Sequence, residues 1–282
     1  MRLARLISPD NSIVIARIDD DTAIPIARAP DRLGADVLRD LLADKVNIEK
    51  IPPIGVSFPL ATATLMSPVQ SPGKIIAVGL NYADHALEAN FDIPPAPMIF
   101  AKFVSSIIGH GQPIQFRNAD SAEVDYESEL AVIIGQRTRN ISTDRALDSV
   151  YGYTLCNDVS ARDAQFSDKQ FTRGKSFDTF CPVGPFILTA DEIDDPQNLP
   201  IKARLNGITV QDSSTSEMIF SIAEIISYIS RFITLEPGDL ISTGTPAGVG
   251  MAKKPPIYLR DGEVIEVEVV GVGVLSNPIE VN

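Results

Sequence analysis

The chain of 282 residues has no tryptophan, only two histidines and only two cysteines. Two cysteines at this length make no disulfide framework, so a small cross-linked secreted scaffold is excluded. Cys156 and Cys181 read as free, small core residues. With His85 and His110 as the whole histidine supply, a histidine-rich metal centre is excluded, and any bound metal must rest mainly on oxygen ligands. No apolar run approaches the ~18 residues that span a bilayer. The opening MRLARLISPDNS carries two arginines but no long apolar segment, so it does not read as a signal peptide, and a cytoplasmic location is expected. Positive charge is scarce too: 24 Lys and Arg stand against 37 Asp and Glu, a net charge of −13. Such a balance disfavours nucleic acid and anionic membranes as partners. A small anionic substrate stays compatible, because a local site can be positive on an acidic protein.

What is present divides by texture. SIVIARIDDDTAIPIA reads as two short strands around an acidic turn, and RLGADVLRDLLA has helical spacing, with Leu33, Val37, Leu38, Leu41 and Leu42 on one side. The prolines of IPPIGVSF and SPVQSPGK, with Gly73, then punctuate the chain. These signals place a small N-terminal α+β domain over residues 1–70 and a main domain over 71–282. From KIIAVG onward short strand-like runs dominate: MIFAKF, ELAVIIG, GYTLCND, GPFIL, KARLNGITV, DLISTG and EVIEVEVVGVGVL. Asn206-Gly207 is a hairpin turn signal. Ser221 and Glu224 fit a helix capping box, followed by an apolar stripe of Ile222, Ile225, Ile226, Ile229 and Phe232. The class is α+β, mostly β, without the βαβ alternation of a doubly wound fold.

The stretch EVDYESELAVIIG carries the most chemistry. Glu123, Asp125, Glu127 and Glu129 fall at every second position, which on a strand puts them on one face. Neighbours on such a face stand roughly 6.5–7 Å apart and repel by about 2.5 kcal/mol at an effective dielectric near 20. Two readings of this stretch stand side by side: a solvated face of an edge strand, or a site that a hard divalent cation neutralises. Glu123 and Asp125 are expected to be solvated, whereas Glu127 and Glu129 run directly into Leu130–Ile134. Asp158, at the end of GYTLCND, could point across to the glutamates and complete an oxygen set suited to Mg²⁺ or Mn²⁺. His85 and Glu88 are an i,i+3 pair that would share a helix face, with Asn81 as a suitable cap. That spacing alone serves a surface pair as well as an active one. STGTPAGVG lacks the G-K-[ST] ending of a nucleotide-binding loop, though its glycines let backbone amides approach an anion.

GLNYADHALE, FAKFVSS, VDYESELAVIIG, YGYTLCNDVSARDAQ, GKSFDTFCPVGP, LNGITVQDSST, MIFSIAEIISYIS and EPGDLISTGTPAGVG stand in the order found in the fumarylacetoacetate hydrolase family. Residues 72–282 resemble that family, and are most similar to its domain-containing and acylpyruvate hydrolase branch. The resemblance implies a mixed β-roll catalytic fold, a homodimer, and Mg²⁺ or Mn²⁺ held by Glu127, Glu129 and Asp158. It implies a water-activating dyad of His85 and Glu88 and a catalytic-site lysine at Lys175. It also implies contacts to a substrate carboxylate or oxo group from Arg162, Gln165 and Thr245. Lys102 matches another recurrent lysine, in contact with substrate or structural, and His110 in GHGQP matches no catalytic motif.

The function these implications favour is divalent-metal-dependent hydrolysis of a C–C bond in small 2,4-dioxo, acylpyruvate-type carboxylates. The same metal-enolate site would serve an oxaloacetate tautomerase or decarboxylase, an oxo-dienoate isomerase or a ureidoglycolate lyase. A metal-stabilised binding protein without catalysis is the alternative from another class, and the filled acid, base and anion-binding positions argue against it.

Overall fold

The computed structural model describes residues 1–30, 34–88 and 90–282. Leu33, expected on the first helix, lies outside them; the helix itself runs Val37–Ala43, with the Asp36 side chain accepting the Arg39 N–H at its start. Among the described residues no helix is long and apolar enough to cross a membrane.

Strands dominate, as the short alternating runs predict. Among the described residues one mixed sheet of twelve strands holds the frame. Its middle is the Ser128–Ile134 strand, buried at every residue. This strand pairs antiparallel with Val150–Asn157 on one side and with Leu240–Ser242 on the other. Beyond Leu240–Ser242 come Ile75–Gly79, in parallel, and then Met98–Ala101. Beyond Val150–Asn157 comes Cys181–Thr189, onto which the N-terminal Arg2–Ile7 strand is added. Residues 1–70 thus share the sheet of the main body, with Ile13–Asp19 and Thr22–Arg28 forming the expected hairpin next to Arg2–Ile7.

A second sheet, of five strands, contains Pro200–Leu205 and Ile208–Ser214, and Val264–Val269 and Gly273–Val281. The Asn206-Gly207 turn joins the first pair, with positive φ at both residues (53° and 79°), the conformation that an Asn-Gly hairpin supplies at least strain. The core falls on both faces of Ser128–Ile134. Leu130, Val132 and Ile134 enter one apolar cluster, with the Ile222–Ser230 helix and the second sheet, while Ala131 and Ile133 enter another with Leu3, Ile15 and Val183. A strand buried on both faces reads as a continuous apolar run, which is why the acidic alternation stops so abruptly at Glu129.

The Ile222–Ser230 helix has the full capping box: Ser221 Oγ accepts the Glu224 N–H, and the Glu224 carboxylate accepts the Ser221 N–H. Its stripe of isoleucines is buried, but Phe232 lies past the helix end and is 59% exposed, so it is not part of the stripe. Ser221→Ala should cost about 1 kcal/mol of unfolding free energy. Chemical denaturation would read this as a lower midpoint at unchanged slope, and an unmoved midpoint would show the box to be dispensable.

Candidate active site

The register of two neighbouring strands assembles the acidic centre. Ser128 pairs with Asn157 and Glu129 with Cys156, and the Asp158 N–H donates to the Glu127 carbonyl at 3.0 Å. Each strand therefore delivers its carboxylates to the same end of the sheet. A slip by one residue would turn Glu129 to the opposite face. Carboxylate oxygens of Glu127, Glu129 and Asp158, all buried, lie within 4.8 Å of one another.

Three buried cations face them. Lys175 Nζ bridges Glu127 Oε2 at 2.7 Å and Asp158 Oδ2 at 2.8 Å. Arg162 Nη1 reaches Glu127 Oε1 at 2.7 Å, and Lys102 Nζ bonds Asp158 Oδ1. Burial alone would raise the Glu127 carboxyl, but the Lys175 and Arg162 charges outweigh it and hold it down to about 2. Glu129 has no cation of its own. Its Oε2 accepts from Ser242 Oγ and from the Gly244 N–H (2.9 Å), while burial and the Asp158 and Glu127 charges push its carboxyl well above the usual range. Ionised Glu127 therefore stabilises the fold above its ordinary value of 4.5 and loses that contribution as pH falls toward 2. Glu129 has the opposite sign: its contribution is present in the protonated form and is lost as pH rises through its elevated folded value. A clustered set of hard carboxylate oxygens, one of them short of positive charge, fits Mg²⁺ or Mn²⁺.

Asp125 departs from the sequence expectation. It is 0% exposed rather than solvated. The acidic stretch does not run as one strand: Val124–Asp125 pairs with Ser160–Ala161, and the chain breaks before Ser128–Ile134. The Asp125 carboxylate tolerates burial because every lone pair finds a donor. Oδ2 takes Arg162 Nη2 (2.8 Å), Arg162 Nε (3.0 Å) and the Met251 N–H (3.0 Å); Oδ1 takes the Gly250 N–H (2.7 Å) and the Tyr126 N–H (2.8 Å). One side chain thus fixes Arg162 and the glycine-rich segment together. Glu123, by contrast, is half-buried.

The remaining residues surround a cavity of about 720 Å³. His85, Glu88, Glu127, Arg162, Gln165, Lys175 and Thr245 line it, so seven of the expected site residues meet on one wall system. Gln165 Oε1 accepts from Arg162 Nη1 (3.1 Å), and Lys175 Nζ lies 5.4 Å from the Phe100 ring centre. Thr245 Oγ1 donates to the Ser128 carbonyl (3.0 Å) and accepts from Gln211 (2.8 Å), so its single hydroxyl proton is already engaged. Lys102 does not line the cavity. Fully buried, it bonds Asp158 and the Lys175 carbonyl and so braces a carboxylate of the acidic centre.

His85 and Glu88 sit on the Ala83–Glu88 helix. His85 Nδ1 and Glu88 Oε2 are 3.9 Å apart, an ion-pair distance without a hydrogen bond. Glu88 Oε2 also accepts the Gly248 N–H at 2.8 Å. Burial raises the Glu88 carboxyl, but His85 and that N–H more than offset it and hold it below its ordinary value. Gly248 has φ +104°, and a Cβ there would collide with the Val210 carbonyl, so a glycine is required for this amide to face Glu88. Asn81 is not the helix cap. Its amide instead joins the start of the helix to Phe220 and to the Thr243 carbonyl (2.8 Å). His110 stands apart, its Nδ1 accepting the Ser276 N–H.

Comparison with known proteins follows the same residues. Residues 74–280 match the family model described as fumarylacetoacetate (FAA) hydrolase C-terminal. The chain is 49% identical over 218 residues to the mitochondrial oxaloacetate tautomerase fahd2 of Xenopus laevis, covering 77% of this chain and 68% of that one. Among solved structures it is similar to a 2-hydroxyhepta-2,4-diene-1,7-dioate isomerase from Mycobacterium marinum (37% identity, TM-score 0.79, 100% of this chain and 99% of that one). It is also similar to a maleylpyruvate hydrolase from Sphingobium (31% identity, TM-score 0.84, both chains covered fully).

Two outcomes test the centre. Saturating Mn²⁺ should raise the melting temperature of the protein, by the equivalent of about 2.7 kcal/mol at a hundredfold excess over Kd. Glu129→Gln, which imitates the protonated carboxyl, should leave the metal-free protein at least as stable and remove most of that rise; an undiminished rise would sink the assignment. Asp125→Asn should raise KM for any carboxylate substrate by about tenfold, the scale of one charge-assisted hydrogen bond, because Arg162 loses its partner. An unchanged KM would show that Arg162 needs no such support.

Proposed function

The chain belongs to the fumarylacetoacetate hydrolase family, and from that premise we propose that it catalyses enol–keto proton transfer on a small 2-oxo diacid of the oxaloacetate type. The proposal gives it a divalent cation, Mg²⁺ or Mn²⁺, held by Glu127, Glu129 and Asp158. The observation that carries this reading is the cluster of three buried carboxylates beside Lys175 and Arg162, of which Glu127 lines the cavity that also holds His85. The relative named as an oxaloacetate tautomerase supports it.

When bound, the cation supplies Lewis-acid polarisation of the 2-oxo carboxylate. Arg162 and Gln165 orient the substrate carboxylate, and Asp125 keeps the guanidinium turned to the cavity. Lys175 places an ammonium beside the developing enolate oxygen, where a preorganised charge counts most. Ionised Glu88, 3.9 Å from Nδ1 of His85, favours a proton on that nitrogen and leaves Nε2 to take the proton of the enol hydroxyl and deliver it to C3, so that the imidazole ends as it began.

Hydrolytic C–C cleavage of acylpyruvates is the second reading. The His85–Glu88 pair favours it, since the same Nε2 could deprotonate a water at the cavity wall, and the relative described as a maleylpyruvate hydrolase fits it. The homodimer and the cytoplasmic location expected from the sequence belong to this proposal as well, against a relative named as mitochondrial.

Spectroscopic decay of enol-oxaloacetate and cleavage of acetylpyruvate, each with Mg²⁺ or Mn²⁺ and with chelator, separate the readings. The proposal expects metal-dependent acceleration of the first, abolished by chelator. His85→Ala should slow it by roughly 10²–10⁴. Acceleration of acetylpyruvate cleavage alone would establish the hydrolase instead, and no acceleration of either would end the enzyme reading.

A further inference from the structure

The two deeply buried cations that line the cavity are both paired with the protein's own carboxylates. Arg162 is bonded to Asp125 and Glu127, and Lys175 to Glu127 and Asp158. Lys253, nearer the opening, donates to the Val210 carbonyl at 2.9 Å and lies near enough to Glu88 to lower its carboxyl. Among the described residues, Lys254 is the one lysine or arginine lining the cavity with neither an ion pair nor a hydrogen bond. It is exposed, at the mouth.

The lining residues differ in exposure. Glu127 at the inner end is 5% exposed, whereas Phe91 and Phe166, on the wall, are 49% and 48% exposed. Between these limits lie Phe100 and Phe171, stacked edge to face at 5.4 Å, and both are half-buried. The lining therefore combines buried charges already paired with carboxylates, half-buried aromatic rings and an exposed, unpaired ammonium. A volume of about 720 Å³ sits in the roughly 300–1,000 Å³ range of cavities that enclose drug-sized ligands. An oxaloacetate-sized diacid bound beside Lys175 would not fill it. The lysine also stands on a protein of net charge −13, so a free cation at the entrance is a local attraction for anions against the field of the whole molecule.

We infer that Lys254 is a specificity residue that receives the distal carboxylate of 2-oxo diacids longer than oxaloacetate, in which an apolar carbon segment lies along Phe100 and Phe171. This rests on the 2-oxo acid reading of the site and extends it outward to the mouth. The selection is by a charge at the far end of the substrate, and the proton-transfer chemistry at C3 is the same for every chain length.

The test compares 2-oxoheptanedioate with 2-oxoheptanoate, equal in length and differing in the terminal carboxylate, with oxaloacetate as the short reference. Exchange of C3 protons in deuterated water is followed by NMR on the full chain in the presence of Mg²⁺. In the wild type kcat/KM should favour the diacid over the monoacid by about tenfold, the scale of one charge-assisted hydrogen bond. Lys254→Ala should bring that ratio close to one, and Lys254→Arg should restore most of it. Equal values for the two acids in the wild type, or a ratio that Lys254→Ala leaves in place, would overturn the inference and make Lys254 a solvated surface charge. Titration calorimetry of the same two acids on the same three proteins reads the ratio as relative Kd without turnover. If no oxo acid exchanges its protons, the proposed reaction has failed, while the calorimetric ratio still decides for or against the anchor.

Discussion

The molecule is organised around the cost of burying like charges together. Glu127, Glu129, Asp158 and Asp125 are all withdrawn from water at one end of the central sheet. Carboxylates in that position destabilise a fold unless each is matched by charge and by hydrogen bonds. Lys102, Arg162 and Lys175 supply the matching from three separate segments, and backbone amides of the glycine-rich segment supply more. The match is incomplete at Glu129, whose carboxyl is raised by burial and by the Asp158 and Glu127 charges, against which the Lys175 charge is not enough. That shortfall is where a divalent ion would fit.

The glycine-rich segment is the second dependent part. It follows the Leu240–Ser242 strand, which pairs with Ser128–Ile134, so its amides begin beside the acids. Gly244 donates to Glu129, Gly248 to Glu88 and Gly250 to Asp125. Three carboxylates on three different elements are thereby held by one stretch of backbone. A segment of this composition was legible as a close-approach loop. Which anions it approaches was not, because the acceptors are the protein's own side chains as well as any substrate.

Local signals carried well where the physics is local. The Asn206-Gly207 hairpin and the Ser221–Glu224 capping box depend on residues a few positions apart, and both stand in the structure as read. The alternation of acids was also read, but its geometry was not. Asp125 looked solvated because its partners, Arg162 and Gly250, are 37 and 125 residues away. Asn81 looked like a cap because the residue type suits one, whereas its amide is drawn to Phe220 and Thr243 across the fold. Arg2–Ile7 is recognisable as a strand only beside the strands that flank it.

By itself the sequence determined the oxygen character of any metal centre, through its shortage of histidine and cysteine, and the residues able to form it. It determined the mostly β class, since period-two alternation and turn residues act over short range. The order of motifs determined the family. Tertiary structure alone decided which carboxylates are neutralised and which one is left short of charge, that Lys102 braces Asp158 behind the site, and that Lys254 stands unpaired at the mouth. Those are questions of distance between segments far apart in the chain, and Coulomb and hydrogen-bond energies depend on that distance rather than on sequence order.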